Sequence, residues 1–137
     1  MARALRLVLQ EERLAICRLP PDRALPDWFP GRGPIASMTL TDEELSLVVN
    51  DADPPADVPA QRGWRAFKVQ GPLDFALTGV MATLSGALAQ AGISLFALST
   101  YDTDYILVRD GDVPAARRAL GSAHHAAGQA WLVELLE

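Results

Sequence analysis

Short apolar runs separated by polar, proline-rich stretches make up the first half of the chain, and longer patterned segments the second. Residues 6–10 and 13–18 are apolar runs around Glu11-Glu12 and read as a hairpin or as two edge strands. Residues 19–34 hold Pro20, Pro21, Pro26, Pro30, Gly31, Gly33 and Pro34. Proline locks φ and removes a backbone donor, so this is a loop, with Trp28 and Phe29 expected to anchor it on the core. Strands are predicted at 35–40 and 45–49, joined by the polar turn Thr41-Asp42-Glu43-Glu44. Residues 50–63 read as a linker.

The second half has clearer periods. Residues 64–69 alternate as a strand that Gly71-Pro72 stops. Val80, Leu84, Leu88 and Ala91 recur at three and four residues, which predicts a helix over 78–91. Ala91-Gly92 is its stop signal. Strands follow at 93–98 and 105–108, around the turn Ser99 to Asp104. Asp112 is the expected N-cap of a second helix over 113–122. Residues 124–129 read as a loop and 131–136 as a last strand. The order of the second half is β-α-β-β-α-β, an α+β, ferredoxin-like arrangement with both helices on one face of a four-stranded antiparallel sheet. The chain is expected to form two packed modules: 1–62, a reduced copy without a long helix, and 63–137.

Composition narrows the function classes. Of 137 residues half are hydrophobic, and the net charge is −5. Neither half is net basic, so attraction to nucleic acid or an anionic membrane has no evident source. Residues 75–101 carry no charge and are long enough to span a bilayer. Their hydroxyls and the stop at Ala91-Gly92 instead favour a buried helix and strand. Cys17 stands alone in an apolar run, which excludes an intrachain disulfide and suits a buried thiol. No signal peptide is evident, and the cytoplasm is the expected compartment.

Catalytic signatures are missing: no glycine-rich dinucleotide or phosphate loop and no nucleophile elbow. His124 and His125 are adjacent, so their side chains diverge and do not share a metal easily. A solvated helix C-terminal turn suits them. Asp102 and Asp104, two apart, read either as paired carboxylates on one strand face, for acid/base or Mg²⁺/Ca²⁺ chemistry, or as a polar hairpin turn. No metal or cofactor is expected.

Two segments, GWRAFKVQGPLDFALTGV at 63–80 and AGISLFALSTYDTDYILV at 91–108, resemble the small bacterial ACT-domain proteins related to the cytosolic arginine sensors of animals. The likeness extends more loosely to 14–20 and 43–48. It implies tandem ACT-like modules, an amino acid held at a module interface, and a regulatory sensor rather than an enzyme. Elementary physics suggests the same site. Thr78, Gly79 and Val80 open a helix whose first N–H groups form a carboxylate receptor, and Gly79 offers no Cβ to block the approach. Asp104 is then the acceptor for the ligand's ammonium, with Ser99, Thr100, Tyr101 and Thr103 around it. The competing readings are an adaptor that keeps the fold without a ligand and docks onto an enzyme, and a hydrolase using Asp102 and Asp104. A homodimer is expected, because residues 93–98 are apolar on both faces.

Overall fold

Alternating apolar residues in the strands and one apolar stripe on each helix build the architecture. The computed structural model describes residues 3–71, 79–121, 125–126 and 129–136. In chain order the elements are β1 (Arg3–Leu9), β2 (Leu14–Leu19), β3 (Ser37–Leu40), β4 (Leu45–Asn50), β5 (Ala60–Val69), α1 (Val80–Gln90), β6 (Phe96–Ser99), β7 (Asp104–Arg109), a 3-10 turn (Asp110–Asp112), α2 (Val113–Gly121), β8 (His125–Ala126) and β9 (Gln129–Leu136). The chain divides into two compact units, Met1–Gln10 with Arg65–Glu137, and Glu11–Trp64.

The helix-bearing unit has the βαββαβ order in β5-α1-β6-β7-α2-β9, the ferredoxin-like α+β fold. Its strands lie in the order β6-β7-β5-β1-β9-β8. The expected four-stranded antiparallel sheet is corrected here. β1 lies between β5 and β9, antiparallel to the first and parallel to the second. It is therefore neither half of a hairpin with β2 nor an edge strand. The exposed Arg6 suggests an edge, but it reports a solvated face, whereas edge position depends on ladder partners. Met1–Gln10, expected to open the first module, counts with this unit.

Its core joins Leu5 and Leu7 of β1 to Phe67 and Val69 of β5, and Ile106 and Val108 of β7 to Val133 of β9. Val80, Leu84 and Leu88 of α1 and Val113, Ala116 and Leu120 of α2 pack on the same cluster. The helix stop expected at Ala91-Gly92 is present. Gly92, at φ 72°, donates its N–H to the Ala89 carbonyl, and Ile93 donates to that of Leu88. These bonds close the helix as a Schellman motif. They also engage the chain ahead of β6, which starts at Phe96 rather than 93.

Other boundaries differ for local reasons. Asp112 ends a 3-10 turn that runs straight into α2, so it is not a simple N-cap. The loop expected over 124–129 contains β8, where His125 and Ala126 pair with Ala130 and Gln129. His125 thus lies on a strand rather than a helix C-terminal turn. His124 and Ser122 lie outside the described residues.

The Glu11–Trp64 unit has strands in the order β3-β4-β2-β5, all antiparallel, and no helix. Ala15, Cys17 and Leu19 pack with Leu45, Leu47 and Val49, and Trp28 and Phe29 pack against them as expected. The long loop is tied down at Asp53, whose carboxylate accepts the Arg32 N–H at 3.2 Å. Strand β5 begins at Ala60, inside the stretch read as a linker. Its ladder with β2 slips between Leu14↔Trp64 and Ile16↔Gln61, and Gly63, at φ 75°, supplies the extra residue of this bulge.

Two glycines give opposite expectations. Gly86 is inside α1 and Gly63 is at the bulge, and a Cβ at either meets nothing within 4 Å. Gly86→Ala is expected to raise stability by about 1 kcal/mol through helix propensity. Gly63→Ala is expected to lower it by about 1 kcal/mol, the cost of a left-handed backbone for an L residue. Urea unfolding of both variants measures the contrast.

Burial pushes the Cys17 thiol above its ordinary value of 9.0, with Arg62 opposing the shift. The folded chain holds the proton where the unfolded chain releases it. Stability should thus be level in this group below pH 9 and fall as pH rises beyond it. A Cys17→Ala variant should lose that component of the alkaline decline in pH-dependent urea unfolding.

Candidate functional site

The hairpin turn between β6 and β7 gathers most of the predicted polar residues. Ser99 and Asp104 face each other as the last ladder pair. The Ser99 hydroxyl donates to Asp104 Oδ1 at 2.7 Å. Inside this pair, the Thr100 N–H donates to the Thr103 carbonyl at 2.8 Å, and the Thr103 N–H donates to Thr100 Oγ1 at 3.3 Å. Tyr101 stands at the tip, 81% exposed. Asp102 is also exposed and lies in the turn, whereas Asp104 begins β7. The two carboxylates therefore do not share a strand face, which corrects the paired-carboxylate reading. Among the described residues, no three His, Cys, Asp or Glu side chains form a metal-holding group.

Thr103 has a different role from the one expected. It is 5% exposed, and its hydroxyl donates to the Val69 carbonyl at the end of β5. It ties the turn to β5 instead of offering a hydroxyl to a ligand. The acceptor is a main-chain oxygen, for which sequence carries no signal. Beside it on β5, the Lys68 ammonium lies 6.0 Å from the Tyr105 ring centroid, a cation–π contact that sequence reading also missed.

The other half of the predicted site is the start of α1. Gly79 is the N-cap at φ 83°, ψ −5°, not a helical residue. Its carbonyl accepts both the N–H of Thr83 at 2.9 Å and the hydroxyl of Thr83 at 2.7 Å. Val80 is 4% exposed with its side chain in the core, so only its backbone can serve a ligand. The first turn contains no acidic side chain. Thr78 lies outside the described residues. Glycine is required at 79 for a conformational reason: a β-branched residue there is strained by the backbone itself.

Thr103→Val keeps the shape but leaves the Val69 carbonyl without its hydroxyl donor. A loss of about 1–3 kcal/mol is expected in urea unfolding, and Thr103→Ser should restore most of it.

Residues 60–122 match the ACT domain family. Over 88 residues the chain is 32% identical to the cytosolic arginine sensor for mTORC1 subunit 1 of Bos taurus, a match covering 56% of this chain and 27% of that relative's length. The structure is similar to that of protein Atu0741 from Agobacterium tumefaciens, with a TM-score of 0.81 and 36% identity over 97% of this chain and 96% of that one. It also shares its fold with the ligand-free regulatory subunit of aspartate kinase from Thermus thermophilus, at a TM-score of 0.59 and 14% identity over 91% of this chain and 100% of that one. No helix among the described residues is long and apolar enough to cross a membrane. The βαββαβ order, with both helices packed on one core, agrees with these likenesses, and residues 60–122 of the chain are similar to the ACT domain.

Proposed function

We propose that this chain is a non-catalytic regulatory sensor that binds a free α-amino acid in its helix-bearing unit. The observation that carries the reading is the tie from Thr103 to Val69, which holds the turn 99–104 at the carboxyl end of β5. A helix that returns across a sheet begins at the carboxyl end of the strand before it, so α1 offers its N-terminus at that same end. An α-amino acid needs two opposite poles a few ångströms apart. The N–H groups at the start of α1 supply the anion receptor, and the helix's own first turn holds no carboxylate to compete for them. The Asp104 carboxylate takes one donor from Ser99 and has acceptor capacity left for an ammonium group.

The likeness to an arginine sensor and to an aspartate kinase regulatory subunit supports this reading. The proposed setting is the cytoplasm, with the ligand altering how the chain acts on a partner enzyme. A homodimer is part of this proposal. Among the described residues β6 ends the order of its sheet with Ala97 exposed, an edge available to a second copy.

A thermal-shift screen of the proteinogenic amino acids, arginine and the aspartate-family members included, is expected to find one that stabilises the chain. At a hundredfold over its dissociation constant, it should add about 2.7 kcal/mol. Asp104→Asn should weaken that ligand by on the order of 2–5 kcal/mol in calorimetry. Its stability should change by less than about 1 kcal/mol, since asparagine keeps an oxygen to accept the exposed Ser99 bond. Unchanged affinity would remove Asp104 from the site, and a screen without hits would favour the adaptor reading.

A further inference from the structure

The turn joining β3 to β4 determines which backbone groups of β3 face outward. The Thr41 N–H donates to the Glu44 carbonyl at 2.9 Å, so these residues form a hydrogen-bonded pair around Asp42-Glu43. Partners in an antiparallel ladder alternate between hydrogen-bonded and non-hydrogen-bonded pairs. Thr39, opposite Ser46, is therefore turned toward β4. Leu40 and Met38, opposite Leu45 and Leu47, point their N–H and C=O groups away from it. β3 ends the strand order of its unit, so among the described residues those groups line an open edge.

The side chains continue the same surface. Leu45 and Leu47 are buried in the core of the unit, while Met38 is 50% and Leu40 59% exposed. Facing residues of an antiparallel pair lie on one face, so an apolar face runs from the core to the open edge. Edge strands are ordinarily blunted by charges, proline or a bulge. Ser37–Leu40 contains no charge and no proline, and its ladder with β4 runs without a shift. At the end of the strand, Pro21, Asp22, Leu40, Thr41 and Asp42 line a shallow, open depression. Glu43 and Glu44 follow in the same turn.

We propose that β3 is a docking edge for an extended basic segment of a partner protein. The segment adds as a further strand beside Met38 and Leu40, and it sets a lysine or arginine against Asp22 and Asp42. Charge selects this occupant. A second copy would bring the same Asp22 and Asp42 carboxylates to this edge, whereas a basic strand complements them. Main-chain bonds along the edge give affinity, and the two exposed apolar side chains favour a segment with alternating apolar positions. The inference stands apart from amino-acid binding and does not rest on it.

The test uses the full chain and a fluorescein-labelled octapeptide of alternating valine and arginine, read by anisotropy. A valine–glutamate octapeptide is the control. The arginine peptide is expected to bind saturably and the control not to bind. Met38→Lys with Leu40→Lys should weaken binding at least tenfold, and Asp42→Lys at least threefold. Amide shifts in the unmutated chain should concentrate on residues 37–41, a readout independent of how the variants fold. Equal affinity in the variants, or shifts centred elsewhere, would overturn the proposal. So would a dimer in sedimentation equilibrium that the Met38 and Leu40 substitutions dissolve, because the edge would then belong to a second copy.

Discussion

The helix-bearing unit depends on a strand contributed by residues far away in the chain. β1 pairs Leu7 with Val69 on one side and with Leu135 on the other, so it stands between the first and last strands of the βαββαβ frame. Leu5 and Leu7 then enter the core beneath both helices. Without them Phe67, Val69 and Val133 would lose apolar partners, and β5 and β9 would each carry an unpaired edge. Sheet continuity and core filling are thus met by the same residues.

The candidate site depends on that frame through one bond. Val69 belongs to the core and also offers its carbonyl to Thr103. The turn is therefore anchored to the most buried part of β5, although Ser99, Thr100, Tyr101 and Asp102 are exposed. A binding loop on a rigid base exposes polar groups at low ordering cost, because few of its torsions remain to be fixed when a ligand arrives. Gly79 contributes in a comparable way by letting the chain enter α1 with a left-handed residue.

Periodic features were legible in the sequence. Val80, Leu84 and Leu88 mark the buried stripe of α1, Ala91-Gly92 its end, and Ser99 to Asp104 the hairpin turn. Trp28 and Phe29 could be placed on a core because large aromatic residues in a proline-rich loop have few other ways to leave water. Partner choice was not legible. The pattern of β1 identifies a strand with one solvated face and carries no information on which strands lie beside it. Gln61 and Arg62 look like linker residues, yet the ladder with β2 recruits them into β5. The positive φ of Gly79 and the attachment of Thr103 to a main-chain oxygen depend on backbone geometry, which residue types do not encode one by one.

The parallel pairing of β1 with β9 joins Arg3 to Trp131 and Val8 to Leu136. A chain leaving the ribosome makes β1 well before its neighbour β9. The sheet of the helix-bearing unit therefore cannot close until residues 129–136 have been synthesised. Glu11–Trp64, whose ladders join residues much nearer in sequence, meets no such delay. Contacts of long sequence separation are entropically costly to form early. Residues 3–9 can pair with β5 earlier, but until β9 is made they present an uncovered strand edge beside Leu5 and Leu7, a surface that gains from shielding by a chaperone.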